Sequence, residues 1–98
     1  MLKTVGERLR DLREAAGATR ETVARLTTLH LSGIGHIERG QRTNLESRTL
    51  GLLAELFGVD VGYLLLGTGT RPAAEDLARS VQRAEARWRR EQKKVVGA

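Results

Sequence analysis

The stretch RETVARLTTLHLSGIGHIERG, residues 20–40, holds two short amphipathic segments with a polar break between them. Val23, Ala24 and either Leu26 or Thr27 give the first segment an inner side. Thr19, just before it, can cap it by accepting from backbone amides of the first turn. TTLH, residues 27–30, separates it from a second segment over about 31–38, where Ile34 and Ile37 share one helical face. Gly33 and Gly35 stand inside this second segment, and each costs about 1 kcal/mol relative to alanine in a helix interior.

Outward from this centre the periodicity stays helical. Val5, Leu9, Leu12 and Ala16 predict a first helix over 5–16, stopped by Gly17. Leu50, Leu53, Ala54 and Phe57 predict a fourth, capped by Asn44 or Ser47 and ended by Gly58. Asp60 heads a short fifth, VGYLLLG, with Leu64 and Leu65 facing in. GTGTRP is a flexible joint whose Pro72 suits the first turn of a new helix. Leu77, Val81, Ala84 and Trp88, spaced four, three and four apart, predict a last helix over about 73–94. No strand pattern appears, so the expected class is all-α. The expected organisation is a domain over 1–67, a linker over 68–72 and a basic amphipathic helix with its tail over 73–98.

The 98 residues carry 17 basic and 12 acidic side chains, a net charge of +5, and no cysteine. Disulfides and thiolate metal sites are excluded. No apolar run approaches a membrane span, and Met1–Gly6 lacks a signal-peptide core, so a soluble intracellular protein is expected. The basic excess favours a polyanionic partner, nucleic acid before membrane. It is uneven: residues 1–70 hold 9 basic and 8 acidic side chains, residues 71–98 hold 8 and 4.

Two helices joined by a short turn, the second brief and poor in large outward side chains, describe a helix-turn-helix. Residues 20–40 resemble the helix-turn-helix of the Cro/CI-like (XRE) transcription regulators, the family of phage repressors. The resemblance runs from VGERLRDLREAAG through IERG, needs one extra residue between Gly40 and Leu50, and resumes in LAELFGVDVGYLLLG. It implies a five-helix, lambda-repressor-like DNA-binding domain, here with an additional C-terminal helix. The chain departs from the family pattern at the turn. Thr28 stands where glycine is common, Thr27 where an apolar residue is, and His30 where a serine or threonine cap is; position 20, often glutamine, is arginine.

The resemblance implies that the third helix enters the major groove of double-stranded DNA, with Leu31, Ser32 and His36 facing base edges and Gly33 near the sugar-phosphate wall. A glycine there lets the helix backbone approach DNA; alternatively both glycines are merely tolerated in a helix held by Ile34 and Ile37. Backbone contacts carry over to Thr19 and Arg20 at the start of the second helix, and to Arg39, Gln41, Arg42, Thr43 and Asn44 after the third. Glu38, an acid beside DNA, is assigned by the same resemblance to an ion pair with Arg13 that locks the third helix to the first. His30, Ser32 and His36 lie close in sequence, but no acid is placed to orient either histidine and no metal-spaced cluster exists, so no enzyme, cofactor or metal is expected.

For the last helix three roles compete: dimerisation through Leu77, Val81, Ala84 and Trp88, folding back on its own domain, or binding a partner protein. The leading functional expectation is a cytoplasmic, nucleoid-associated transcriptional repressor that binds a palindromic operator as a homodimer. The rival is an antitoxin or accessory module that holds a partner through residues 73–94.

Overall fold

The computed structural model describes residues 3–96, and Thr4 begins its first helix. The Thr4 hydroxyl accepts from the Glu7 amide at 3.1 Å, and the Glu7 carboxylate accepts from the Thr4 amide at 3.1 Å. This capping box opens α1 (Val5–Ala15), and Gly17, at φ +72°, turns the chain away after it. Thr19 caps α2 (Arg20–Thr27) by accepting from the Thr22 amide at 3.1 Å. Then follow α3 (Leu31–Glu38), α4 (Ser47–Phe57), α5 (Val61–Leu66) and α6 (Ala74–Val96). The fold is all-helical, with no strand among the described residues.

The cap of α4 is neither Asn44 nor Ser47. Glu46 occupies the cap position without a side-chain bond, and Ser47 is already helical. Leu45, packed against the core, fixes where the chain turns into α4.

The turn between α2 and α3 is built around the two threonines that replace the common residues. Thr28 is the only non-glycine residue with positive φ among the described residues, at +63°. A left-handed conformation costs a β-branched residue about 1–2 kcal/mol. Thr27 is 2% exposed and satisfies its hydroxyl locally, donating to the Val23 carbonyl at 2.6 Å and accepting from the Leu29 amide at 3.4 Å. A polar residue therefore fills an apolar position without leaving a buried group unpaired.

One core joins all six helices. Leu9 and Leu12 of α1, Val23 of α2, Ile34 and Ile37 of α3, Leu53 and Phe57 of α4 and Leu64 of α5 are all buried in it. Gly6 sets how closely α1 crosses the end of α3. A Cβ there would overlap the Ile37 carbonyl oxygen and lie 3.0 Å from its carbon, and backbone atoms cannot move aside as a side chain can.

Leu77 and Val81 of α6 belong to the same core, 1% and 8% exposed. The expectation that they form a dimer seam is thereby corrected: their apolar surface is already buried within the chain, against α1 and α4. Further contacts fasten the helix. Ser80 Oγ donates to the Leu56 carbonyl at 2.8 Å, Ala84 packs on the core, Glu85 pairs with Arg25 at 2.9 Å, and the Arg25 guanidinium lies 4.6 Å from the centre of the Trp88 ring. A chain ending at Gly69 loses Leu77 and Val81, worth about 4 kcal/mol of burial together, a large share of a small domain's stability. It should melt at least 15 °C below the full chain, or without a cooperative transition, by far-ultraviolet circular dichroism. A truncated chain that melts with the full one would show that α6 adds nothing to the fold.

Candidate nucleic-acid interface

Glu38 lies at the end of α3, where the backbones of α1 and α2 both come near. Its side chain is 1% exposed, yet it is fully engaged. Arg13 of α1 grips it as a fork, Nε to Oε2 at 2.7 Å and Nη2 to Oε1 at 2.9 Å, while Arg13 Nη1 donates to the Ala18 carbonyl at 3.1 Å. Arg20 of α2 adds a third bond, Nε to Oε1 at 3.0 Å. Burial raises the Glu38 pKa, but the hydrogen bonds from Arg13 and Arg20 and their charges outweigh it, and the carboxyl is held below its ordinary 4.5. The hydrogen bond to Glu38 correspondingly raises the Arg13 pKa. One carboxylate thus ties α3 to both preceding helices.

That tie leaves the opposite side of α3 to solvent. Leu31 is 46% exposed, Ser32 and His36 are exposed, and Gly33 is half-buried. Successive helical residues turn by about 100°, so Ser32 and His36 form one outward ridge. After α3, Gly40 takes φ +76°, and the amides of Gln41 and Arg42 both donate to the His36 carbonyl, at 2.9 and 3.2 Å. This folds the chain back along α3. Arg42 Nη1 lies 3.7 Å from where a Gly33 Cβ would stand, and Arg39 Nη1 lies 2.9 Å from where a Gly35 Cβ would stand. Thr43 and Asn44 are exposed in the extended run to α4 and make no side-chain hydrogen bond among the described residues. Thr19 is exposed at the start of α2.

The arginines up to residue 48 divide into two groups. Arg8, Arg10, Arg13, Arg20 and Arg25 each have a carboxylate or carbonyl partner. Arg39, Arg42 and Arg48 have none among the described residues, and all three are exposed near α3. Arg42 and Arg48 share a hollow with His30, Gly33 and Thr28, between α3 and the start of α4. Arg20 differs from the loop arginines: one edge of its guanidinium is committed to Glu38, although 39% of its side chain remains exposed. Sequence reasoning missed Arg48, because its relevance depends on where α4 begins and how it lies beside α3.

A family described as helix-turn-helix domain matches residues 4–64. The chain belongs to that family. No curated protein and no solved structure matches it. The match runs from the cap of α1 into α5, including the turn at Thr28, so this helix-turn-helix domain places a threonine at its left-handed turn position. Its class of activity is DNA binding. Among the described residues, no helix is long and apolar enough to cross a membrane.

The tie at Glu38 gives the helix-turn-helix a defined acid response. Because the folded carboxyl titrates below the unfolded one, its contribution is present above about pH 4.5 and is lost as pH falls through the folded value. Glu38→Gln should cost about 3 kcal/mol at pH 7 in urea unfolding, since it leaves the largely buried Arg13 without a counter-charge. The gap between parent and variant should shrink steadily below pH 4.5. A gap that is small at pH 7, or independent of pH, would remove Glu38 from this role.

Proposed function

We propose that this helix-turn-helix domain is a sequence-specific transcriptional regulator, acting as a repressor, that occupies a palindromic operator as a homodimer with α3 in the major groove. The observation that carries the proposal is the solvent-facing ridge of α3, Leu31, Ser32 and His36, with Arg39, Arg42 and Arg48 around it and unpaired among the described residues. An arginine that needs no protein partner keeps all its donors for phosphate. Ser32 can donate or accept at a base edge, His36 can donate to guanine N7 or O6, and Leu31 can meet the thymine methyl. Thr19 and Arg20 sit at the start of α2, where free amides and the outer edge of the Arg20 guanidinium favour a phosphate. Gln41, Thr43 and Asn44 continue the backbone contacts on the other wall.

With Leu77 and Val81 committed to the core, the dimer contact moves to α5. Val61 and Leu65 are each 41% exposed and Leu66 is 67% exposed. Arg8 of α1 holds the end of this helix, donating to the Leu64 carbonyl at 2.7 Å and to the Leu65 carbonyl. A rigid apolar face suits a second copy, and two recognition helices about 34 Å apart match half-sites one turn apart. A regulator of this kind works in the cytoplasm, on the chromosome.

Selection from a random duplex pool should return a palindrome. His36→Ala should cost about 1–3 kcal/mol on that sequence and little on random DNA, whereas Arg48→Ala should weaken both alike and flatten the salt dependence by about one unit. A pool that returns no preferred sequence would overturn the regulator proposal. In sedimentation, Leu66→Glu should be monomeric and lose the palindrome about a hundredfold or more, while a half-site is bound as before. If instead residues 73–94 hold a partner protein, the parent chain will sediment as a monomer and Leu66→Glu will change nothing.

A further inference from the structure

Gly35 is buried although it lies beside the exposed His36, and what covers it is Arg39. An ideal Cβ on Gly35 would stand 2.9 Å from Arg39 Nη1, 3.3 Å from Nη2 and 3.4 Å from Cζ. Those three are the nearest atoms, so the obstacle is one guanidinium and not the domain. The fold itself has no use for a glycine here: the residue sits in the middle of a helix, where alanine is preferred. The Arg39 guanidinium has no carboxylate or carbonyl partner among the described residues and is folded back one turn along α3, while the residue as a whole stays exposed. Across the helix Arg42 lies over Gly33, but there the gap of 3.7 Å would admit a Cβ in ordinary contact. The two glycines are therefore not equivalent.

We propose that Gly35 is a positioning residue for DNA binding: its missing Cβ forms the seat that holds the Arg39 guanidinium flat against α3, beside His36, where it meets a phosphate on one wall of the groove. The inference rests on the proposed DNA binding. Seating removes part of the freedom a long arginine side chain would otherwise lose on binding. A Cβ at this place pushes away only the end of a flexible side chain, so Gly35→Ala should not harm the fold. It removes a helix-interior glycine and should raise Tm by about 4–8 °C while weakening DNA binding.

Gly51 supplies the comparison. It lies within α4, is none of the residues assigned to the DNA contact, and a Cβ there would meet nothing within 4 Å. Gly35→Ala and Gly51→Ala should both raise Tm, but only Gly35→Ala should lose affinity for the selected duplex, about tenfold, with a salt slope about one unit shallower. Arg39→Ala should give the same loss and the same slope in the parent. Placed on Gly35→Ala, it should cost less than twofold more, because the contact is already gone. Equal affinity and slope for Gly35→Ala and the parent would overturn the seat, as would full additivity of the two substitutions. A parent chain that binds no duplex at all would overturn the DNA-binding proposal and the seat with it. A Gly51→Ala variant that loses affinity as Gly35→Ala does would also overturn the seat, by showing that stiffening alone weakens binding.

Discussion

The carboxylate of Glu38 is the constraint on which the rest of the molecule depends. An ion so thoroughly removed from solvent is tolerated only when its charge is matched and its lone pairs are filled. Arg13 and Arg20 do both, with three hydrogen bonds from two helices. These bonds have direction, unlike the apolar contacts of Ile34 and Ile37, which would allow α3 to roll. A rolled α3 would bury Ser32 or His36. The ion pair thus converts a greasy contact into a defined orientation, and the outward ridge is its consequence.

Size is the second constraint. Five helices over about 65 residues enclose a small core, and small domains bury a lower fraction of their surface than large ones. Here α6 makes up the shortfall by laying Leu77 and Val81 against α1 and α4. Arg25 then reaches from α2 to α6, pairing with Glu85 and stacking on Trp88. Glu85 Oε2 meets Arg25 Nη1 at ion-pair distance but off hydrogen-bond geometry, so that pair is weaker than the fork at Glu38. The additional helix is coupled to the helix-turn-helix through α2, and what it leaves outside is its basic flank.

Arginine usage follows from these two constraints. Of the arginines before residue 26, Arg8 caps α5, Arg13 and Arg20 hold Glu38 and Arg25 stacks on Trp88, while Arg10 makes only an exposed pair with Glu14. The next three, Arg39, Arg42 and Arg48, are unengaged among the described residues. A modest net charge therefore conceals a sharp division between cations that hold the structure and cations free to meet an anion. Arg20 belongs to both groups, one edge on Glu38 and the rest exposed, which no count of charges separates.

The chain by itself determined the helices and the motif. Apolar spacing at Leu9, Leu12, Ile34, Ile37, Leu53 and Phe57 reports burial because a helix repeats every 3.6 residues whatever it packs against. Thr19, Gly17 and Gly58 mark boundaries because caps and left-handed turns are local chemistry. The tertiary structure alone decided three other matters. The stripe Leu77, Val81, Ala84 and Trp88 is equally apolar whether its partner is another chain or its own domain, and only the space left by α1 and α4 selects the latter. Arg20 and Arg39 read alike as exposed cations, yet one meets a buried carboxylate eighteen residues away and the other lies on a glycine of its own helix. Arg48 came into view only once α4 was seen to start beside α3. Local rules act within a few residues, whereas partners for long charged side chains are set by which helices cross, and that is a property of the packed chain.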